Sequence, residues 1–149
     1  MVVENHSRSL LGMLSPSVKE KVLALASLRE VAAGETIFRE GDASTYVFTI
    51  DSGRVSLTLS SPPKGSRTLM TLGPGELFSW SAMVEPYRET CTVRAFENSR
   101  IVQIPADKLI ALCRSDHEVG FEIYRAMAMV LASRVRALQM QWADVFATA

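Results

Sequence analysis

Tyr46-Val-Phe-Thr-Ile-Asp-Ser-Gly-Arg-Val-Ser-Leu-Thr-Leu59 is the stretch whose reading decides the fold. Two runs rich in β-branched, aromatic and apolar residues, Tyr46-Val-Phe-Thr-Ile and Val55-Ser-Leu-Thr-Leu, flank Asp51-Ser-Gly. A tight turn between strands needs a positive φ, which Gly53 adopts without steric cost. Working outward, the same grammar repeats. Thr36-Ile-Phe-Arg, Thr68-Leu-Met-Thr-Leu, Thr90-Cys-Thr-Val-Arg-Ala and Arg100-Ile-Val-Gln-Ile alternate with turn signals at Ala33-Gly-Glu, Glu40-Gly-Asp, Ser61-Pro-Pro-Lys-Gly and Leu72-Gly-Pro-Gly. Short strands at close, even spacing from residue 28 to residue 105 predict a closed or sandwiched antiparallel β-structure. The Pro-Pro-Lys-Gly tract reads as a hairpin tip, because proline in a central strand loses a ladder hydrogen bond.

On either side the hydrophobic period changes to that of a helix. Leu11, Leu14, Val18, Val22, Leu25 and Ala26 recur at three- and four-residue spacing, and Pro16 suits the first turn of a second short helix. After Pro105 a short helix over 106–113 is followed by a long one from Asp116 to about Phe146. Its seam of Phe121, Tyr124, Ala128, Leu131, Val135, Leu138, Trp142 and Val145 steps by three and four residues. Such a helix would be about 45 Å long, more than a domain of this size covers. A second stripe, Val119, Ile123, Met127 and Val130, occupies only its first half. That stripe is assigned to the β-core and the seam to the same seam of a second copy, which predicts a parallel homodimer through Tyr124, Ala128, Leu131, Val135, Leu138, Trp142 and Val145. The alternative folds the helix back with Trp142 and Phe146 closing a groove.

The 149 residues are 48% hydrophobic, with 16 basic side chains balancing 16 acidic ones. That supports one core and lacks the basic footprint of a dedicated nucleic-acid or anionic-membrane binder. The expected organisation is a single domain over 1–149: a tail at 1–9, helices at 10–27, β-structure at 28–105 and helices at 106–149. Glu4 and the lack of an apolar stretch at the N-terminus do not read as a secretory signal, and the longest pure apolar run, 126–132, is far short of the roughly 20 residues that span a bilayer. A soluble, cytoplasmic protein with no membrane association is expected. Cys91 and Cys113 read as reduced, buried thiols, and two cysteines fall short of a zinc site or an iron–sulfur cluster.

A helix, a compact β-roll and a long dimerising helix resemble the cyclic-nucleotide-binding domain of Crp/Fnr-type regulators, channels and kinases. The resemblance rests on four segments in order: Ile37-Phe-Arg-Glu-Gly-Asp, Tyr46-Val-Phe-Thr-Ile-Asp-Ser-Gly-Arg-Val, Leu72-Gly-Pro-Gly-Glu-Leu-Phe and Thr92-Val-Arg-Ala, with Gly41, Gly53 and Gly75 at the turns. It implies an α+β, mainly β fold: an antiparallel, jelly-roll-like β-roll (double-stranded β-helix) flanked by helices, with a long C-terminal dimerisation helix. Family regulators usually carry a helix-turn-helix domain after that helix. Here the chain ends at Ala149, and direct DNA binding is not expected.

In the family a short cassette between two strands holds the ligand phosphate with backbone N–H groups and an Arg, and a Glu takes the ribose hydroxyl. The chemistry explains those residue types, since helix N-termini attract anions, a guanidinium grips phosphate as a fork, and a carboxylate accepts from a sugar hydroxyl. Gly75-Glu76 tempts as the Gly-Glu pair, yet that pair lies four residues beyond the turn glycine, which lands on Ser79 and Trp80. The family's Arg lies four residues before the valine of the next strand, which from Val93 gives Glu89, with Arg88 one residue away.

The candidate cassette is therefore Phe78, Ser79, Trp80, Ser81, Ala82, Arg88, Glu89, Thr90 and Thr92, capped by Leu131, Arg134, Val135 and Leu138 of the long helix, with Ser133 near the mouth. On this count both side-chain determinants are gone, leaving backbone donors near Ser81 and Ala82 and the hydroxyls of Thr90 and Thr92. An acid facing a phosphate costs a few kcal/mol, so ordinary cyclic-AMP binding is not expected. The expected role is a stand-alone ligand-sensing or regulatory module with no catalytic residues, metal or resident cofactor. The alternatives are a cyclic-nucleotide or small-anion binder that uses Arg88 and cassette amides, and a scaffold whose pocket Trp80 plugs. His6 and His117 have no nucleophile partner at a recognisable spacing. Haem ligation would fall to Cys91 or Met83, the only candidates near the cassette.

Overall fold

The computed structural model describes residues 9–147. The expected tail, His6 included, lies outside the described residues save for Ser9. A 3₁₀ turn, Leu11–Met13, leads into α1 (Pro16–Leu23). Eight strands follow: β1 (Ser27–Val31), β2 (Thr36–Phe38), β3 (Tyr46–Ser52), β4 (Val55–Ser60), β5 (Ser66–Leu72), β6 (Leu77–Phe78), β7 (Thr92–Ala95) and β8 (Ser99–Pro105). A second 3₁₀ turn, Trp80–Met83, lies between β6 and β7, and α2 (Ala106–Ser115) and α3 (His117–Ala147) close the chain.

The strands form two antiparallel four-stranded sheets, ordered β1-β8-β3-β6 and β2-β7-β4-β5. This is the antiparallel β-structure expected from the hairpin grammar, and the β-roll that the resemblance implies. Gly53 stands at φ +90 between β3 and β4, and a Cβ there would lie 2.2 Å from Ser99 Oγ and 2.7 Å from the Asn98 carbonyl oxygen. The turn thus needs glycine for its φ and for the close approach of β8. Ser61–Gly65 is the tip between β4 and β5, with the Ser61 N–H donating to the Gly65 carbonyl at 2.6 Å.

β3 and β8 are apolar on both faces because the first sheet is covered on both. Val47, Val102 and Ile104 enter a cluster with the helices, while Phe48, Ile50 and Ile101 enter a second cluster between the sheets. In the latter, Phe48 and Phe78 stack at 4.9 Å between ring centroids, with Phe38 at 6.0 Å and 6.1 Å from them. On the helical side Val119, Ile123, Ala126 and Met127 of α3 are buried and Val130 packs against them. The second stripe of α3 is the one that meets the body, and burying each such side chain contributes about 1.5–3 kcal/mol.

Three elements differ from the sequence reading. β1 begins at Ser27, inside the stretch assigned to helices. It is an edge strand with only Val31 buried, so it lacks the apolar alternation that marks a strand. β6 has two residues, too few to show a period. β7 starts at Thr92 rather than Thr90, because Glu89 just before it is tied to the β2–β3 loop by its own backbone: Gly41 N–H donates to its carbonyl and its N–H to the Asp42 carbonyl, both at 2.8 Å.

Candidate functional site

The cassette begins at a locked turn. The Gly75 N–H donates to the Ile50 carbonyl at 2.6 Å, and the Gly73 N–H donates to the Glu76 carboxylate at 2.7 Å. Glu76 is exposed and belongs to its own turn. Leu77 and Phe78 then pair with Thr49 and Phe48 of β3 and are buried. At Ser79 the backbone turns left-handed, φ 64 and ψ 40, a conformation costly for a side chain and free for glycine. Ser79 is the position at which the four-residue count places the family's glycine.

Past that kink, Trp80–Met83 forms one 3₁₀ turn. Trp80 is half-buried against the helix-side cluster, not among the aromatics between the sheets. Ser81 and Ala82 are buried, and the Ala82 N–H donates to the Ser79 carbonyl at 3.2 Å, so one of the two backbone donors expected to be available is committed.

The four polar residues that meet are Ser44, Ser79, Ser81 and Glu89, all buried, Glu89 to 5% exposure. Ser44 Oγ and Ser79 Oγ donate to Glu89 Oε1 at 2.7 Å and 2.5 Å, and Ser81 Oγ donates to Oε2 at 3.2 Å. Ser44 Oγ also lies 3.0 Å from Ser79 Oγ and 3.1 Å from Ser81 Oγ. Burial pushes the Glu89 carboxyl above its ordinary range, the three hydroxyls pull it back, and the charge of Asp42 adds to the rise. Ser44 is not among the residues expected from sequence; it lies 45 positions from Glu89, so no local spacing could reveal it.

A raised folded-state value means that the stability linked to Glu89 is complete below the ordinary carboxylate range and is lost as pH rises through the raised value. Glu89→Gln keeps the shape and removes the proton. Urea midpoints measured between pH 4 and pH 7.5 are expected to show the parent losing stability relative to Glu89→Gln as pH rises. Parallel profiles would contradict the placement of this acid.

The remaining candidates disperse. Arg88 is exposed and reaches the Gly41 carbonyl at 3.5 Å, outside the serine cluster. Thr90 is exposed, and Thr92 Oγ1 accepts from the Glu40 N–H at 3.0 Å. Cys91, half-buried, has its thiol pushed up to about 11 by burial and then by the charges of Glu89 and Glu40. Met83 is buried on the helical side, in the other cluster. Among the described residues, no three His, Cys, Asp or Glu side chains group so as to hold a metal ion.

From α3, the Arg134 guanidinium donates to the Leu77 carbonyl, and burial draws it below its ordinary range while the charge of Glu76 opposes the shift. The Tyr124 hydroxyl lies 3.5 Å from the Met83 carbonyl. These two contacts bracket the cassette. Leu131 is half-buried, whereas Val135 and Leu138 are 53% and 37% exposed. Of the four expected capping residues, Arg134 is the one with a hydrogen bond beside the cassette, to the Leu77 carbonyl. At about 100° per residue Leu131 and Leu138 stand about 60° and 40° from Arg134, on the same side of α3, whereas Val135 stands about 100° round from it. A cleft of about 460 Å³ opens beside the cassette, with Ser44, Tyr46, Ala82, Tyr87 and Ile110 in its wall. Another of about 400 Å³ lies under α3, between Glu76, Leu77, Val130 and Arg134.

A β-roll with an inter-strand cassette bonded to a long, half-exposed helix is the architecture of a Crp/Fnr-type cyclic nucleotide-binding domain. The chain belongs to the cyclic nucleotide-binding domain family, whose sequence profile matches residues 28–116. It is 27% identical over 128 residues to the cyclic AMP receptor protein of Thermus thermophilus, covering 86% of this chain and 57% of that one. The N-terminal domain of a transcriptional regulator from Streptomyces coelicolor superposes with a TM-score of 0.73 at 26% identity, over 91% of this chain and 95% of that one. A cyclic nucleotide-binding domain from Methylobacillus flagellatus, 18% identical, shares the fold with a TM-score of 0.80 over 86% of this chain and 72% of its own. The chain spans about half the length or less of the curated relatives it matches here. Among the described residues no helix is long and apolar enough to cross a membrane.

Proposed function

We propose that this chain is a regulatory module of the cyclic nucleotide-binding family whose cassette does not take cyclic AMP in the ordinary way, and whose long helix transmits the position of that cassette to a second copy. The observation that carries this reading is the sign of the charge inside the cassette. A carboxylate, Glu89, is buried there, while Arg88 lies on the surface. A phosphate brought to the cassette would meet an acid instead of a guanidinium and lose charge-assisted bonds that run to several kcal/mol.

Transmission would be a population shift. Whatever prefers one position of Ser79–Met83 acts on α3 through the Leu77–Arg134 and Met83–Tyr124 contacts, and so on the packing of the helix seam. The parent protein is expected to show no saturable binding of labelled cyclic AMP in the micromolar range. Micromolar binding abolished by Arg88→Ala would replace this reading with one in which Arg88 swings inward. Thermal melting against a panel of small anions and nucleotides separates a sensor from a scaffold, because only a sensor is stabilised by a ligand of its folded state.

A further inference from the structure

We infer that Glu89 is a resident anion: its carboxylate fills an oxyanion seat formed by the hydroxyls of Ser44, Ser79 and Ser81, so that the cassette is liganded by its own chain. The inference rests on the proposed exchange of a cation for an acid in the cassette, and adds what that acid does. Three hydroxyls from two separate loops converge on one carboxylate and lie within 3.0 Å and 3.1 Å of one another through Ser44. The bonds of 2.5 Å and 2.7 Å have the length of hydroxyl-to-oxyanion hydrogen bonds. Each hydroxyl has one proton, and all three are spent on Glu89, which leaves none for an incoming anion.

The seat is also mechanical. Ser44 belongs to the β2–β3 loop and Ser79 and Ser81 to the cassette, while the backbone of Glu89 is bonded to Gly41 and Asp42. The carboxylate's bonds to the three hydroxyls, which offset part of the cost of burying the charge, therefore pin the cassette to that loop with no bound ligand and hold the left-handed kink at Ser79 in place. Ser44 and Ala82 stand in the wall of the 460 Å³ cleft, which gives a small solute a route to the seat once the side chain is removed. The ligand class that follows is a compact oxyanion of carboxylate size.

Chemical rescue tests this. Glu89→Ala vacates the seat and leaves the three hydroxyls. Formate or acetate at several times its dissociation constant is expected to raise the melting midpoint of Glu89→Ala by about 2–4 °C over chloride at matched ionic strength. The parent and Glu89→Gln should respond to formate as they do to chloride. An equal response of Glu89→Ala to formate and chloride, rescue by neutral acetamide as large as by acetate, or a parent that responds as Glu89→Ala does, would each overturn the resident anion. Should Glu89→Ala not fold, Ser44→Ala decides the matter: followed by carboxyl carbon NMR, the Glu89 titration should move upward when one donor is removed, and an unchanged midpoint would overturn the inference. The underlying reading fails separately, by cyclic AMP binding to the parent. Absent rescue with a parent still silent to cyclic AMP removes only the resident anion.

Discussion

Phe78→Ala is expected to lower the stability of the fold by about 3–5 kcal/mol, measured by urea unfolding. Phe78 is 1% exposed and stacks on Phe48 at 4.9 Å with Phe38 behind it, so truncation removes both transfer energy and the offset ring contacts, which add about 0.5–1.5 kcal/mol. The cavity would lie between two sheets locked by their ladders, where collapse is difficult. Total stability of a single domain is about 5–15 kcal/mol, so this loss would bring the chain near its threshold. Phe78→Leu, which keeps most of the volume, should cost less than about 1.5 kcal/mol. A Phe78→Ala variant that unfolds at the parent's midpoint would mean that the aromatic trio does not anchor the roll. The site depends on that anchor, because Phe78 immediately precedes the kink at Ser79.

How much of the molecule is legible in its sequence depends on the distance over which each feature is encoded. The β3–β4 hairpin is local: two strand-forming runs and a glycine, with Gly53 at φ +90 as a turn of that kind requires. The two stripes of α3 are legible too, because a helix repeats over a few residues, and the buried stripe is Val119, Ile123 and Met127 as the spacing implies. β1 is not legible, since an edge strand exposed along most of its length has no reason to alternate. That Glu89 falls where the family resemblance expects an arginine can be counted from Val93. The fate of its carboxylate cannot, because Ser44, Ser79 and Ser81 are ordinary polar residues until the roll closes and brings their hydroxyls to one point.

The register of the cassette shows how sequence and backbone inform each other. Counting from Gly75 puts Ser79 and Trp80 where relatives have glycine and a sugar-binding acid; counting from the apparent Gly75-Glu76 match puts Glu76 there instead. The proposed function takes the first count. Ser79 adopts the left-handed conformation that favours glycine, and Glu76 accepts from Gly73 in an exposed turn. A serine can bear that strain when neighbouring contacts over-determine it, and the bond from its hydroxyl to Glu89 is one such contact.

Leu138→Glu is expected to convert the proposed dimer wholly to monomer in sedimentation experiments, with the folded domain otherwise intact. The seam from Phe121 to Val145 runs about 36 Å along α3. Val135, Trp142 and Val145 on it are 53%, 67% and 63% exposed, a run of large apolar side chains that one chain leaves uncovered. Two glutamates facing each other across a helix pair would be desolvated beside like charge, which neither apolar packing nor e/g pairing offsets. Met140→Glu is the control. Met140 is still more exposed, at 71%, but stands about 200° around the helix from Leu138, so a charge there should leave the dimer unchanged. Equal dimer content in both variants would remove the seam as the interface, and a monomeric parent would remove the dimer itself. In that case the Tyr124 and Arg134 contacts would still tie α3 to the cassette, but the helix would need another partner to read their movement.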